Sequence, residues 1–176
     1  AAIYINDPDI INNDDFSSYH LDFIKESLLE LEIIFKKNKS SFNVYYDKAL
    51  NVLKKINETY SIGKIITHYE TGNWVTYCRD KIITNYCKEN GIELLEYQSN
   101  GIVRNLSDRD GWSHLWNKEM IKNQISTPDV SGFLDLNAQS VHESFQKIKI
   151  KKKKYNKIFF GGESHATNTL HSFLND

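Results

Sequence analysis

The strongest constraint on this chain is the regular alternation of its first hundred residues. Short apolar runs rich in β-branched and aromatic residues alternate with longer stretches whose apolar residues recur every three or four positions. Ala2 to Ile5 reads as a buried strand stopped by the turn Asn6-Asp7-Pro8-Asp9. Ser17 and Ser18 stand where a helix N-cap belongs, and Leu21, Ile24, Leu28, Leu31 and Phe35 place an apolar stripe on a helix running to about Asn38. Phe42 to Tyr46 reads as a second strand. Asp47 reads as the cap of a helix with Ala49, Leu50, Leu53 and Ile56 on one face. A third strand lies within Ile62 to Tyr69. A helix spans Asn73 to Asn90, with Val75, Ile82, Ile83 and Tyr86 as its core candidates, and Asn90-Gly91 closes it. Glu93 to Tyr97 is the fourth strand.

Strands joined by helices of this length need crossover connections, which run right-handed and produce parallel pairing. The fold class is therefore α/β: a Rossmann-like open parallel sheet with flanking helices. After Tyr97 the rhythm breaks. Gly101 to Arg104 reads as a short extension, Trp112 to Gln124 as a shorter helix and Thr127 to Gln139 as loop. Ile158 to Gly162 is a compact apolar turn. Glu163 to Leu174 reads as an amphipathic helix with Ala166, Leu170 and Phe173 on one face.

Charge is distributed unevenly. The net charge is −1, yet Lys147, Lys149, Lys151, Lys152, Lys153, Lys154 and Lys157 fall in one short acid-free stretch. Setting those seven of the 22 basic residues aside leaves 15 against 23 acidic ones, a net of −8. An acidic body excludes a general polyanion binder. The lysines read as a solvated loop in preference to phosphate contacts, and with Tyr155 as the sole interleaved aromatic and no arginine they offer no base readout. The two cysteines are nine apart on one helix, hence on opposite faces, and cannot pair. With no membrane span and no basic-plus-apolar leader in AAIYINDPDI, a cytoplasmic protein is expected.

Three places carry possible chemistry. His68-Tyr69-Glu70-Thr71-Gly72-Asn73-Trp74 sits at the carboxyl end of a parallel strand, where α/β sheets bind ligands. Glu70 and Asn73 offer hydrogen bonds and Trp74 a stacking plane. Alternatively this is a strand-to-helix turn with Asn73 as cap and Gly72 supplying an unusual φ. Gly161-Gly162-Glu163-Ser164 reads either as a phosphate-holding turn or as a tight turn before a capped helix. The second reading is favoured, because neither glycine-rich phosphate pattern is present and Glu163 repels an anion. Trp112, Trp116 and Met120 share a helix face and read as a packing ridge. The six histidines show no metal-ligand spacing.

Several fragments together resemble the N-terminal α/β domain of the DNA photolyase/cryptochrome family, in its cryptochrome-like bacterial branch. His20 to Leu31 is similar to a family helix of the form R-x-x-F-x-x-E-S-L-x-D-L. His68 to Trp74 with Arg79-Asp80, then Gly91-Ile92-Glu93 and Asn100 to Arg104, follow in family order. Arg109-Asp110-Gly111-Trp112 with Trp116 and Met120 resembles an R-D-x-W…W…M stretch. Gly162-Glu163…Ala166…Leu170…Phe173-Leu174 resembles the segment joining the α/β domain to a helical domain. The resemblance implies an α/β domain over 1–126, a linker with a Lys-rich loop over 127–161, and the start of the connection at 162–176. It implies a chain cut at both ends, whose sheet lacks its first, central strand.

For function, the resemblance implies a flavoprotein that uses light to repair a DNA lesion or to signal. FAD and damaged DNA are expected to bind a helical domain outside this segment, a domain that packs on Trp112 and Trp116. The lyase chemistry of a deoxyribodipyrimidine photolyase would lie there too. The α/β part would carry at most an antenna chromophore, in a crevice near Asp7, His68, Glu70 and Asn73. The Asn-Glu pair of the commonest folate site is replaced by Val75 and Thr76. Against this stand two other classes: a self-contained α/β nucleotide-binding domain, and an interaction domain docking through the Trp112/Trp116 ridge.

Overall fold

The computed structural model describes residues 1–98, 101–104, 106, 108–123, 125–150 and 155–175. In chain order the elements are β1 (Ala2–Asn6), α1 (Pro8–Ile11), α2 (Ser18–Lys37), β2 (Phe42–Tyr46), α3 (Ala49–Tyr60) and β3 (Lys64–His68). They continue with α4 (Trp74–Glu89), β4 (Glu93–Tyr97), α5 (Trp112–Met120), α6 (Val141–Gln146) and α7 (Glu163–Asn175). Every strand pairs in parallel, as the crossovers require. Among the described residues the ladders form two two-stranded sheets, β1-β2 and β3-β4, and one antiparallel bridge joins Val44 to Gln139. The chain divides accordingly into two compact units, Ala1–Val52 with Asp129–Asp176, and Leu53–Pro128.

In the first unit β1 and β2 run in register from Ala2 opposite Phe42 to Asn6 opposite Tyr46. Behind them Leu21, Leu28, Val44, Val141 and Phe145 form the core. The helix α2 starts at a capping box in which Ser17 Oγ accepts the His20 N–H and His20 Nδ1 accepts the Ser17 N–H. Its buried stripe is Leu21, Leu28 and Phe35. Leu31, expected in that stripe, is exposed because it falls at the stripe's margin. Phe35 meets the rings of Phe42 and Phe133 at 5.4 and 5.5 Å.

The later chain returns to this unit and completes it. Asn43, buried in β2, donates from Nδ2 to the Ala2 and Leu134 carbonyls, and its Oδ1 accepts the Leu136 N–H. One side chain thereby satisfies three backbone groups of two segments. The helix α6 is closed by the Ser140–Glu143 capping box and placed by Glu32, whose Oε1 accepts the Val141 N–H. The sequence reading has no helix here. Six residues are too few to show a helical period, and the Ser140-x-x-Glu143 box is the local signal for it. The helix α1 also replaces an expected turn: Asp7 caps it and Pro8 takes its first position.

In the second unit Lys64 to His68 lie opposite Glu93 to Tyr97. Asn73 caps α4, and Gly91 leaves its far end at φ 65°. Tyr86, Cys87 and Ile92 are buried, while Ile82, an expected core residue, is exposed. Gly101 to Arg104 form no strand. The helix α5 ends at Met120, short of the Gln124 expected, and Gln124 itself lies outside the described residues. Among the described residues no helix is long and apolar enough to cross a membrane.

Candidate functional site at the carboxyl end of the third strand

The turn from β3 into α4 is built by side chains that bond its backbone. Asn73 Oδ1 accepts the Thr76 N–H at 3.0 Å, and Thr76 Oγ1 donates to the Asn73 carbonyl at 2.9 Å. Glu70 Oε1 accepts the N–H groups of Thr71 and Gly72 at 2.9 and 2.6 Å. Its Oε2 faces Arg79 Nη2 at 3.5 Å, and the Arg79 guanidinium also donates to Asp80 Oδ1 at 2.8 and 2.9 Å. Gly72 has an ordinary φ, contrary to expectation. A Cβ there would sit 2.8 Å from Glu70 Oε1, at the movable end of a side chain. His68 Nδ1 lies 3.3 Å from the Tyr97 carbonyl.

Around this turn lie flat rings and cations. Trp74 is 71% exposed and meets Tyr77 at a centroid distance of 5.5 Å. Lys81 Nζ stands 4.7 Å over the Tyr77 ring. Arg104 places its guanidinium 4.7 Å from the Tyr69 centroid and 5.8 Å from that of Tyr77. Its Nη1 is 4.0 Å from Glu96 Oε1, while its Nη2 is buried with no hydrogen-bond partner. A charged donor without an acceptor is costly, so this corner favours an acceptor group held against an aromatic face. The loop carrying Arg104 is tied down by Tyr69 Oη, which donates to the Ile102 carbonyl at 2.5 Å, and by Trp112 Nε1, which donates to the Gly101 carbonyl at 3.2 Å.

Of the four expected crevice residues, His68, Glu70 and Asn73 share this one turn. Asp7 belongs to the other unit. It is 5% exposed, and both carboxylate oxygens are engaged: Oδ1 accepts the Asp9 N–H at 3.0 Å, and Oδ2 accepts the Ala49 N–H at 2.9 Å. One aspartate thus caps α1 and α3 together. Arg104 and Tyr77 are neighbours that sequence reasoning did not propose for the site, and Tyr69, inside the proposed segment, had no role assigned. Tyr77 was legible at three residues from Trp74; Arg104 comes from a distant loop, and no local spacing announces it.

The remaining candidates resolve as follows. The N–H groups of Gly161, Gly162 and Ser164 are taken by Glu26, Ser27 and Glu30, which matches the tight-turn reading of that segment. Trp112 and Trp116 are half exposed with ring centroids 6.3 Å apart, and the Trp116 indole fills the space a Cβ on Gly101 would need. Lys151 to Lys154, the heart of the basic stretch, lie outside the described residues. Among the described residues no group of three His, Cys, Asp or Glu is placed to hold a metal ion.

The family model described as DNA photolyase matches residues 1–108. Among solved structures, the chain is similar to the archaeal photolyase from Sulfolobus tokodaii, with a TM-score of 0.72 and 25% identity. The match covers 97% of this chain and 39% of that one. That structure is described as holding two FAD molecules, with the implication of a novel light-harvesting cofactor. No curated protein matches the sequence significantly.

Proposed function

The chain belongs to the DNA photolyase family, and from that premise we propose that it is the antenna-type α/β part of a photolyase/cryptochrome-like flavoprotein, with no catalysis of its own. The observation that carries this reading is the family match over residues 1–108. In this reading the whole protein takes up blue or near-UV light through FAD and either repairs damaged DNA or signals, in a reducing cytoplasm. Residues 1–126 are the α/β domain, 127–161 the connecting stretch, which includes α6, and 162–176 the start of the connection to a helical domain. That domain holds FAD and packs on the Trp112/Trp116 ridge.

The donor set fits this division. A dinucleotide's diphosphate needs free amides at a turn or helix start. Those of Thr71, Gly72, Gly161 and Gly162 already serve Glu70, Glu26 and Ser27. The corner of Trp74, Tyr77 and Arg104 instead suits a flat heteroaromatic ring with acceptor atoms, as an antenna chromophore requires. Held there, such a group would supply light absorption. The protein's part is to stack the ring and direct Arg104 at its acceptors.

The test is titration of the full chain with FAD, a reduced folate and a deazaflavin, read by tryptophan quenching and chromophore emission. One of them should bind. Trp74→Ala or Arg104→Ala should weaken binding about tenfold, the effect of losing one stacking or charge-assisted contact. Stabilisation by ATP with no chromophore bound would reverse the reading in favour of a self-contained nucleotide-binding domain.

A further inference from the structure

Residues 155–164 lie along one face of α2, held by hydrogen bonds, an ion pair and an edge-on contact of the Tyr19 and Tyr155 rings at 4.9 Å. On α2, Tyr19, Asp22, Glu26 and Glu30 recur at three- and four-residue spacing and, with Ser27 beside Glu26, form a rail. The Tyr155 hydroxyl donates to Asp22 Oδ2, and Lys157 Nζ pairs with Glu26 Oε1. The Phe159 N–H donates to Tyr19 Oη at 3.1 Å, the Gly161 N–H to Glu26 Oε2 at 2.9 Å, and the Gly162 N–H to Ser27 Oγ at 3.0 Å. Ser164 donates both its N–H and its Oγ to Glu30 Oε1, at 3.1 and 3.0 Å. No strand pairing includes this segment among the described residues.

The glycine pair follows from the closeness of this approach. A Cβ on Gly161 would lie 2.0 Å from the Phe23 carbonyl oxygen and 2.9 Å from the Ser27 nitrogen, both backbone atoms of α2. Gly162 has φ +107°, and a Cβ there would lie 2.2 Å from Glu30 Oε2. The apolar residues between the anchors contribute little burial: Ile158, Phe159 and Phe160 are 73, 60 and 49% exposed. The helix α7, which begins at Glu163, has no buried residue. Its N-terminal turn touches α2 through Ser164, so the rail is what places it.

The rail is also self-repelling. Asp22, Glu26 and Glu30 stand at successive i,i+4 positions, where like charges destabilise a helix. The docked segment answers them with one ammonium, one phenol, one hydroxyl and backbone N–H donors. Polar anchors with little apolar burial are the mark of a segment that opens below the free energy of global unfolding.

We propose that residues 155–164 are a releasable clasp, docked on the α2 rail by hydrogen bonds, which sets the position of α7 and opens as one unit while the β1-β2 core stays folded. The reading does not depend on which chromophore or partner the protein has.

Hydrogen exchange on the full chain tests it through Gly161→Ala, whose methyl meets helix backbone that cannot move aside. Exchange across 155–164 and the first turn of α7 should accelerate together, by about tenfold or more, with β1 and β2 unchanged. Ser27→Ala, which adds no bulk and removes one acceptor, should accelerate the same set about three- to tenfold. It keeps the test open if the alanine at 161 prevents folding. Three results would overturn the proposal: no change in either variant, acceleration confined to the single amide that lost its acceptor, or loss of β1-β2 protection by the same factor.

Discussion

At the scale of single residues, several side chains bond backbone from two segments at once, and their chemistry can be measured. Asp7 caps α1 and α3 with its two oxygens. Asp7→Ala leaves two helix-end N–H groups without acceptors inside a buried site, and should cost about 2–4 kcal/mol in urea unfolding. An unchanged midpoint would show that the two caps carry no weight. The clasp has a definite pH signature. At Glu26 burial pushes the carboxyl up, but the Lys157 ammonium and the Gly161 N–H outweigh it and hold the group below the usual range. A depressed docked value stabilises docking above the undocked value, and that contribution is lost as pH falls through the docked one. Tyr155 is pushed up to about 12, chiefly by its hydrogen bond to Asp22, then by burial and by the charges of Asp22 and Glu26. A raised value acts in the opposite sense: its contribution is full below the ordinary phenol range and is lost as pH rises through about 12. The titratable groups facing the clasp are Tyr19, Asp22, Glu26 and Glu30 on α2, Tyr155, Lys157 and Glu163 on the segment itself, and His165 of α7, whose ring stacks on Phe160. Exchange of 155–164 should therefore quicken relative to the core at both pH extremes. Tyr155→Phe should weaken the alkaline limb, leaving the loss of the Lys157 ammonium, and leave the acid limb unchanged.

At the scale of elements, the two parallel pairs differ in what covers them. Val44 in β2 is fully buried against Leu28, Val141 and Phe145, whereas Ile66 in β3 is 67% exposed. Parallel pairs rely on cover over their faces. Amides of β3 and β4 should exchange much faster than those of β1 and β2, and equal protection would contradict that account. Leu28→Ala should cost about 2–5 kcal/mol, as buried leucines do. The same contrast explains what was legible in the sequence. The strands Phe42–Tyr46 and Glu93–Tyr97 and the helices α2 and α4 were readable because short apolar and aromatic runs, helix caps and the helical period all agreed. The helix α6 was not, because its six residues are positioned by Glu32 and Asn6 from far along the chain. At the candidate site the turn His68–Trp74 was legible from its place after a strand. Arg104, which completes it, was not, since only the tertiary fold brings a residue of that loop over Tyr69 and Tyr77. Asp7 read as a crevice residue because a strand-end carboxylate has the same local sequence whether it caps helices or faces a ligand.

At the scale of the whole molecule, the chain spans about two fifths of the photolyase it resembles, so light absorption by flavin and contact with DNA are properties proposed for the complete protein. The α/β elements supply a scaffold: a strand-end corner of rings and cations in one unit, and in the other an α2 rail that holds the segment leading into α7. The most direct test is to purify the natural gene product in the dark and record its absorption spectrum, followed by blue-light treatment of DNA carrying pyrimidine dimers. The account predicts stoichiometric FAD on that protein, with dimer loss under light in the repair case and flavin photoreduction alone in the signalling case. A natural product that carries no flavin, takes up none on refolding with FAD, and gains thermal stability from ATP would contradict it.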